Sequence, residues 1–249
     1  MKNIFFDIDG TLLPFGDYDI SPAVEYTLKE LINRGHNLYI ATGRHYVNMP
    51  PFVLGSGYFK GYICLNGQTC FVGGKCIHAE VLSDETMDAL KAFCKKHNLA
   101  VLVATENDFH LSMEHEEFED YLKDLARYRI GDPSNEAILQ ATLYAPPELD
   151  DELERTIPDC IITRWNNRYM DINASHVSKS SGINFFIDYF GLDPKSIVTV
   201  GDAGNDRQMI KDAPLGIAMG NADEITKSIA DIVIGRDKED GLRDLLEIL

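Results

Sequence analysis

Apolar and polar positions fall into two rhythms along this chain. Residues 3–8 form a short apolar run ending in acid and glycine, the pattern of a strand buried on both faces of a parallel sheet. Ser21 and Pro22 then open an amphipathic stretch to about residue 34, with serine placed to cap, proline at the first helical position and Gly35 beyond the end. A second apolar run at 36–41 leads directly into Thr42-Gly43-Arg44, and a third at 62–65 stops at Asn66-Gly67. Runs at 68–72 and 75–79, joined by Gly73-Gly74, predict a hairpin.

From about residue 81 the rhythm changes. The pattern predicts an amphipathic helix over 84–97, apolar stretches at 99–105 and 109–113, and a very acidic helix over 114–127. A strand over 138–144, a helix over 148–156 behind Pro146-Pro147, and strands at 160–164 and 169–172 follow. Helices mixed with hairpin-like strands indicate an antiparallel α+β unit. The final third resumes a βαβ alternation: helix 178–190 before Gly191, strand 196–200, a turn at 201–205 into a helix, strand 215–218, helix 222–229, strand 231–234 and helix 241–249. Two α/β segments flanking an α+β segment predict one core domain, residues 1–80 and 175–249, with a second domain, 81–174, inserted in it.

Composition narrows the class of partner. The 249 residues carry 23 Lys plus Arg against 40 Asp plus Glu, a formal net charge of −17. That field repels polyphosphate backbones and anionic membranes, so nucleic acid and membrane surfaces are not expected partners. It also opposes small phosphorylated ligands unless a metal or a few cations reverse its sign locally. Five cysteines form no C-x-x-C pair and suggest reduced thiols. Asp7 and Asp9 interrupt the one candidate signal-peptide core, and no apolar run approaches the ~20 residues of a membrane span, so a cytoplasmic location is expected.

Asp7-Ile8-Asp9-Gly10-Thr11 carries the strongest chemical signal. Residues two apart at a strand end point the same way, so both carboxylates face one spot beyond the sheet edge, where open α/β sheets bind ligands. Two close carboxylates repel, and are tolerated if a divalent cation sits between them or one is protonated, although Asp and Gly also serve simply as turn residues. Gly201-Asp202-Ala203-Gly204-Asn205-Asp206 follows another apolar strand; Asn205 or Asp206 alone could be a helix cap, but a cap does not explain the cluster. Thr42, Gly43 and Arg44 offer a hydroxyl, flexible amides and a guanidinium suited to phosphate oxygens. Lys179 stands at the first turn of a predicted helix, where the dipole disfavours a cation, and a solvated surface lysine is the plain alternative.

In order, these four segments resemble the motifs of the haloacid dehalogenase superfamily of phosphohydrolases. Residues 5–12, Ala41-Thr42-Gly43-Arg44, Asn66-Gly67, Ala218-Met219-Gly220-Asn221-Ala222 and Asp240-Gly241 look like its Cof-type (subclass IIB) branch. The resemblance implies a Rossmann-like parallel-sheet core with an inserted α+β cap that closes over the site and sets specificity. Where the branch often has glycines around its lysine motif, this chain has His176 and Ser180, which puts the path of the loop and the reach of Lys179 at issue.

By the same resemblance Asp7 is the nucleophile and forms a phosphoaspartate, and Asp9 is the acid and base. Mg²⁺ is held by Asp7, the Asp9 carbonyl and Asp202. Asp206 is assigned to a metal-bound water or to orienting Lys179. Thr42, Gly43 and Lys179 bind the phosphoryl oxygens, with Arg44 and Asn205 contacting phosphate or substrate body. Cap residues to watch are His110, Glu114, Arg164, Trp165 and Tyr169. The expected substrate is a small phosphorylated metabolite, a sugar phosphate first, turned over by a monomer or weak homo-oligomer. A phosphomutase using the same nucleophile and a non-catalytic phosphometabolite-binding protein are the rival readings.

Overall fold

The computed structural model describes residues 1–249 apart from Tyr18, Asp124, Ala126, Ser134, Asn135, Trp165 and Asn166, and the side chain of Asp120. The chain begins with β1 (Asn3–Phe6), α1 (Pro22–Asn33), β2 (Asn37–Ala41), α2 (Pro51–Gly55), β3 (Phe59–Cys64), β4 (Thr69–Val72) and β5 (Lys75–Ala79). It continues through α3 (Asp84–His97), β6 (Val101–Ala104), β7 (Phe109–Leu111), α4 (Glu119–Lys123), β8 (Arg129–Ile130), β9 (Gln140–Tyr144), α5 (Asp150–Thr156), β10 (Cys160–Arg164) and β11 (Tyr169–Ala174). It closes with α6 (Lys179–Phe190), β12 (Ile197–Gly201), α7 (Arg207–Asp212), β13 (Leu215–Ala218), α8 (Glu224–Ile229), β14 (Ile232–Val233) and α9 (Leu245–Ile248).

The fold is α/β. Among the described residues the strands divide into an eight-stranded sheet, ordered β14-β13-β12-β1-β2-β3-β4-β5, and a six-stranded sheet, ordered β10-β11-β9-β6-β7-β8. In the first, β14 through β3 run parallel and β4 returns antiparallel. Reading its parallel part from β3 gives the Rossmann order, in which the chain reverses direction beside β1 and leaves a crevice at the strand C-termini. Successive residues of the central strands are buried on opposite faces. Ile4, Phe6, Leu38 and Ile40 pack with Val24, Leu28 and Leu31 of α1 and Leu245 of α9. Phe5, Tyr39 and Ala41 pack with Ile183 and Phe186 of α6 and Met209 of α7. Phe5 stacks on Tyr39 with ring centroids 4.7 Å apart, and Phe186 leans on both, which fixes the start of α6 relative to the end of β1.

The chain forms two compact units, Met1–Ile77 with Ser178–Leu249, and His78–Val177. These divisions lie three residues outside the 80/81 and 174/175 borders expected from the sequence. Glu80 bonds both His78 (3.4 Å) and His176 (3.1 Å), tying the two linker stretches into the inserted unit. That unit is mainly antiparallel, with one parallel pairing between β7 and β8. Met87, Leu90 and Phe93 of α3 and Leu153 of α5 cover Val101, Val103, Ala141, Leu143 and Ile172 on one face of its sheet.

The acidic stretch at 114–127 departs from expectation. Its described residues form a 3₁₀ turn, Glu116–Phe118, and the short α4, where a run of like charges offers few apolar positions to bury, and positions 124 and 126 of the expected helix lie outside the described residues. Strands expected to run to residues 8 and 65 end at Phe6 and Cys64, where the backbone turns into functional loops. Trp165, a candidate cap residue, lies outside the described residues.

Candidate active site

The turn after β1 sets the site. Asp7 still belongs to the sheet, its N–H donating to the Val200 carbonyl (3.0 Å), and the chain then folds back through Thr11 N–H to Ile8 O (3.2 Å) and Leu13 N–H to Ile8 O (2.8 Å). Gly10 is required here: its φ is +84°, and a Cβ would stand 2.2 Å from Oδ2 of Asp202. The absent side chain lets the two acid-bearing turns close on each other.

Asp7, Asp202 and Asp206 are all buried, and each offers a carboxylate oxygen within 4.8 Å of the others. Lys179 reaches into this group. Its Nζ donates to Asp7 Oδ1 and to Asp206 Oδ1, both at 2.6 Å, and its side chain is fully inaccessible. The plain reading of Lys179 as a solvated surface lysine therefore fails; two buried carboxylates override the unfavourable helix terminus. The Ser178 side chain caps α6 by accepting from the Ser181 N–H, and Ser180, the departure from the family pattern, bonds Asp212 at 2.6 Å without diverting its neighbour.

Burial raises the Asp7 carboxyl well above its ordinary value, opposed by Lys179 and reinforced by Asp206, Asp9 and Asp202. Burial likewise raises Asp202, with Asp206 adding to it, to about 7. For Lys179 burial works against the charge, yet Asp206 and Asp7 more than offset it and the ammonium is held more firmly than usual. So much negative charge taken out of water around one ammonium is a set of hard oxygen donors suited to a divalent cation.

Asp206 is already committed. Its Oδ1 accepts from Lys179, and its Oδ2 accepts from the N–H groups of Asp202 and Ala203, both at 2.9 Å. It thus anchors the lysine and the 202–206 turn. Asp202 in turn accepts from Thr11 Oγ1 (3.4 Å) and Asn221 Nδ2 (3.2 Å).

The carboxylate of Asp9 lies apart from that trio and is gripped by Arg44, whose Nε and Nη2 donate to its two oxygens at 2.8 and 2.7 Å. The guanidinium expected to meet phosphate is thus engaged with Asp9. Thr42 is buried, with its N–H on the Ile63 carbonyl (2.9 Å) and its Oγ1 accepting from the Arg44 N–H (3.1 Å). Asn205 Nδ2 donates to Asn66 Oδ1 at 2.9 Å. Asp7, Lys179, Asp202, Asp206, Thr42, Gly43, Asn205 and the Asp9–Arg44 pair all come from loops at the C-terminal ends of β1, β2 and β12, or from the start of α6.

A family model for haloacid dehalogenase-like hydrolases matches residues 4–246. The chain belongs to that family. This haloacid dehalogenase-like chain is 31% identical to a subclass IIB sugar phosphatase of known structure, with a TM-score of 0.91 over 100% of this chain and 98% of the other. It is 26% identical to BT1666 of Bacteroides thetaiotaomicron, a phosphatase of the same superfamily (TM-score 0.89, covering 100% and 94%). The 5-amino-6-(5-phospho-D-ribitylamino)uracil phosphatase YcsE of Bacillus subtilis is 25% identical over 97% of this chain and 93% of its own length. Haloacid dehalogenase-like phosphatases of subclass IIB are thus the chain's class.

Asn221 has a part that the sequence reading did not assign. Besides Asp202, its Nδ2 donates to the Gly10 carbonyl (2.8 Å), and its Oδ1 accepts from the Asp237 N–H (3.0 Å), joining three loops. Its place after Gly220 at a strand end was the available signal. In the inserted unit, Arg164 pairs with Asp150 and donates to the Ala145 carbonyl (3.0 Å), while Tyr169 donates to the Glu117 carbonyl and packs among Phe118, Tyr121 and Tyr144. Both have structural work within that unit; His110 is buried there and Glu114 is exposed. Cys64, Cys70, Cys94 and Cys160 carry free thiols, and burial pushes Cys70 and Cys94 up to about 12, so neither is a thiolate at neutral pH. Among the described residues no helix is long and apolar enough to cross a membrane.

Proposed function

We propose that this haloacid dehalogenase-like phosphatase hydrolyses a small phosphorylated metabolite, a sugar phosphate by preference, through a phosphoaspartate on Asp7. The observation that carries the reading is the Lys179 ammonium bridging Asp7 and Asp206 at 2.6 Å each, beside Asp202. Such an arrangement holds a carboxylate oriented and able to attack phosphorus.

In the first step an Asp7 oxygen bonds to phosphorus, the P–O bond to the metabolite breaks, and Asp9 gives a proton to the leaving oxygen. In the second, Asp9 takes a proton from water as that water attacks phosphorus, and the P–O bond to Asp7 breaks to release inorganic phosphate. Asp9 must leave Arg44 to do this, and an arriving phosphoryl group offers the guanidinium an alternative partner. Thr42, the Gly43 N–H, Arg44, Lys179 and Asn205 bind the non-bridging oxygens, where charge is spread in the transition state. A divalent cation of the Mg²⁺ kind, held by Asp7, Asp202 and the Asp9 carbonyl, would neutralise phosphoryl charge that a chain of net −17 otherwise repels.

Two of the relatives act, by their names, on a sugar phosphate and on a phosphorylated ribityl compound, which supports a small polyol or sugar monoester here. Substrate choice is assigned to the inserted unit on resemblance alone. Buried thiols at Cys64, Cys70 and Cys94 fit a reducing, cytoplasmic location. The test is phosphate release across a panel of sugar and polyol phosphates with Mg²⁺, with and without EDTA. Release that EDTA abolishes is expected. No release from any ester would sink the hydrolase reading, and slow release accelerated by a sugar bisphosphate would point instead to the phosphomutase.

A further inference from the structure

Leu65, Asn66 and Gly67 all have positive φ, at 50°, 58° and 106°. The other non-glycine residues of this kind among the described residues, Asn98, Asp159 and Asp240, stand singly. Two consecutive side-chain-bearing residues in the left-handed region carry a steric penalty that only their surroundings can offset, and such strain concentrates at functional sites.

The surroundings are the candidate active site. Leu65 N–H donates to the Arg44 carbonyl and Asn66 N–H to the Thr42 carbonyl, both at 3.0 Å, so the strained turn is laced to the Thr42-Gly43-Arg44 loop. On its other side, a Cβ on Gly67 would fall 2.0 Å from the Ser178 carbonyl, immediately before Lys179. The turn therefore couples the phosphate-side loop to the helix that delivers the lysine.

A turn needing only its backbone shape would be served better by glycine at position 66. The side chain has its own employment. Oδ1 of Asn66 accepts from Asn205, and a Cβ on Gly43 would lie 3.1 Å from Asn66 Oδ1, 3.5 Å from its Nδ2 and 3.6 Å from Asn205 Nδ2. The two amides thus overlie Gly43, and the half-buried Asn66 Nδ2 donates to no other described residue. We propose that Asn66 is a phosphate-binding and positioning residue: its oxygen fixes the Asn205 amide, and its NH₂ donates to a phosphoryl oxygen bound over Gly43. This inference rests on the phosphatase reading for the identity of the ligand, and not for the geometry.

The experiment compares wild type with Asn66→Gly and Asn66→Asp, with Mg²⁺ present. It measures KM and kcat on p-nitrophenyl phosphate, orthophosphate binding by calorimetry, and thermal midpoint. Asn66→Gly keeps the backbone shape and loses the amide; orthophosphate affinity should fall, and KM rise, about tenfold or more, with the midpoint unchanged or higher. Asn66→Asp retains an acceptor for Asn205 but turns the donor into a negative charge, and should bind orthophosphate more weakly still. Wild-type KM and orthophosphate affinity in Asn66→Gly would overturn the proposal, as would a loss accompanied by a midpoint several degrees lower, which marks a structural role. If the wild type binds orthophosphate in an Asn66-dependent way yet hydrolyses nothing, the phosphatase reading fails and this inference stands. If it hydrolyses esters and Asn66→Gly does so equally well, the inference alone fails.

Discussion

Replacing Lys179 with methionine keeps roughly the length of the side chain and removes the only ammonium bonded to both Asp7 and Asp206 among the described residues. Removing one partner of a buried ion pair costs about 3–5 kcal/mol, since the remaining charge stays out of water. At about 2–4 °C per kcal/mol for a chain of this size, the thermal midpoint should drop by roughly 6–20 °C in metal-free buffer near pH 8. The pH dependence has a definite sign. Burial already raises the Asp7 carboxyl and Lys179 is what holds it down, so without the lysine it rises further. A carboxyl with a raised folded-state value favours folding below its ordinary value, and that support is lost as pH climbs through the folded value. The deficit of the variant should therefore be larger at pH 8 than at pH 5.5, and Mg²⁺ should recover part of it at the higher pH. Scanning calorimetry at both pH values, with EDTA and then with Mg²⁺, reads this directly. A variant melting within about 2 °C of wild type at pH 8 would refute the reasoning, as would a deficit larger in acid.

Other outcomes rest on the same geometry. Asp202, raised from 3.8 to about 7, contributes stability that is present below 3.8 and lost as pH rises through about 7, so that share of the metal-free protein's stability should decline from about pH 4 to about pH 7 and level off above it. Because the cation needs the ionised carboxylate, its stabilising effect should be larger at pH 8 than at pH 6, measured as the midpoint shift on adding Mg²⁺; equal shifts would contradict the assignment. Asn221→Ala removes the amide that joins Asp202 to the Gly10 carbonyl and the Asp237 N–H. Mg²⁺ affinity by calorimetry should fall about 10–100-fold, whereas unchanged affinity would confine Asn221 to a structural role.

Much of this was legible in the residues, and the exceptions have physical causes. Ser21-Pro22 is a local capping signal, and the helix it opens starts where expected. Asp7, Asp202 and Thr42 come directly after apolar runs, and a strand end projects the next residues toward the sheet edge. Lys179 was harder, because a dipole argument sees only its own helix, while the deciding partners lie 172 and 27 residues away. The grip of Arg44 on Asp9 and the part played by Asn221 are long-range side-chain choices that no periodicity encodes. The left-handed turn at Leu65 and Asn66 is invisible for another reason: leucine has little preference for that conformation, and only the bonds to Thr42 and Arg44 and the packing on Ser178 impose it. Among the described residues of 114–127, acidity with few buried apolar positions leaves only a 3₁₀ turn and the short α4.

The central claim is a covalent phosphoryl group on Asp7. Acid-quenching the enzyme during turnover of a ³²P-labelled sugar phosphate, then digesting it and sequencing the labelled peptide, tests that claim most directly. The account predicts label on the peptide containing Asp7, released by hydroxylamine as an acyl phosphate requires, and no label on Asp7→Asn. Rapid hydrolysis with no trapped label, or label retained by Asp7→Asn, would contradict it.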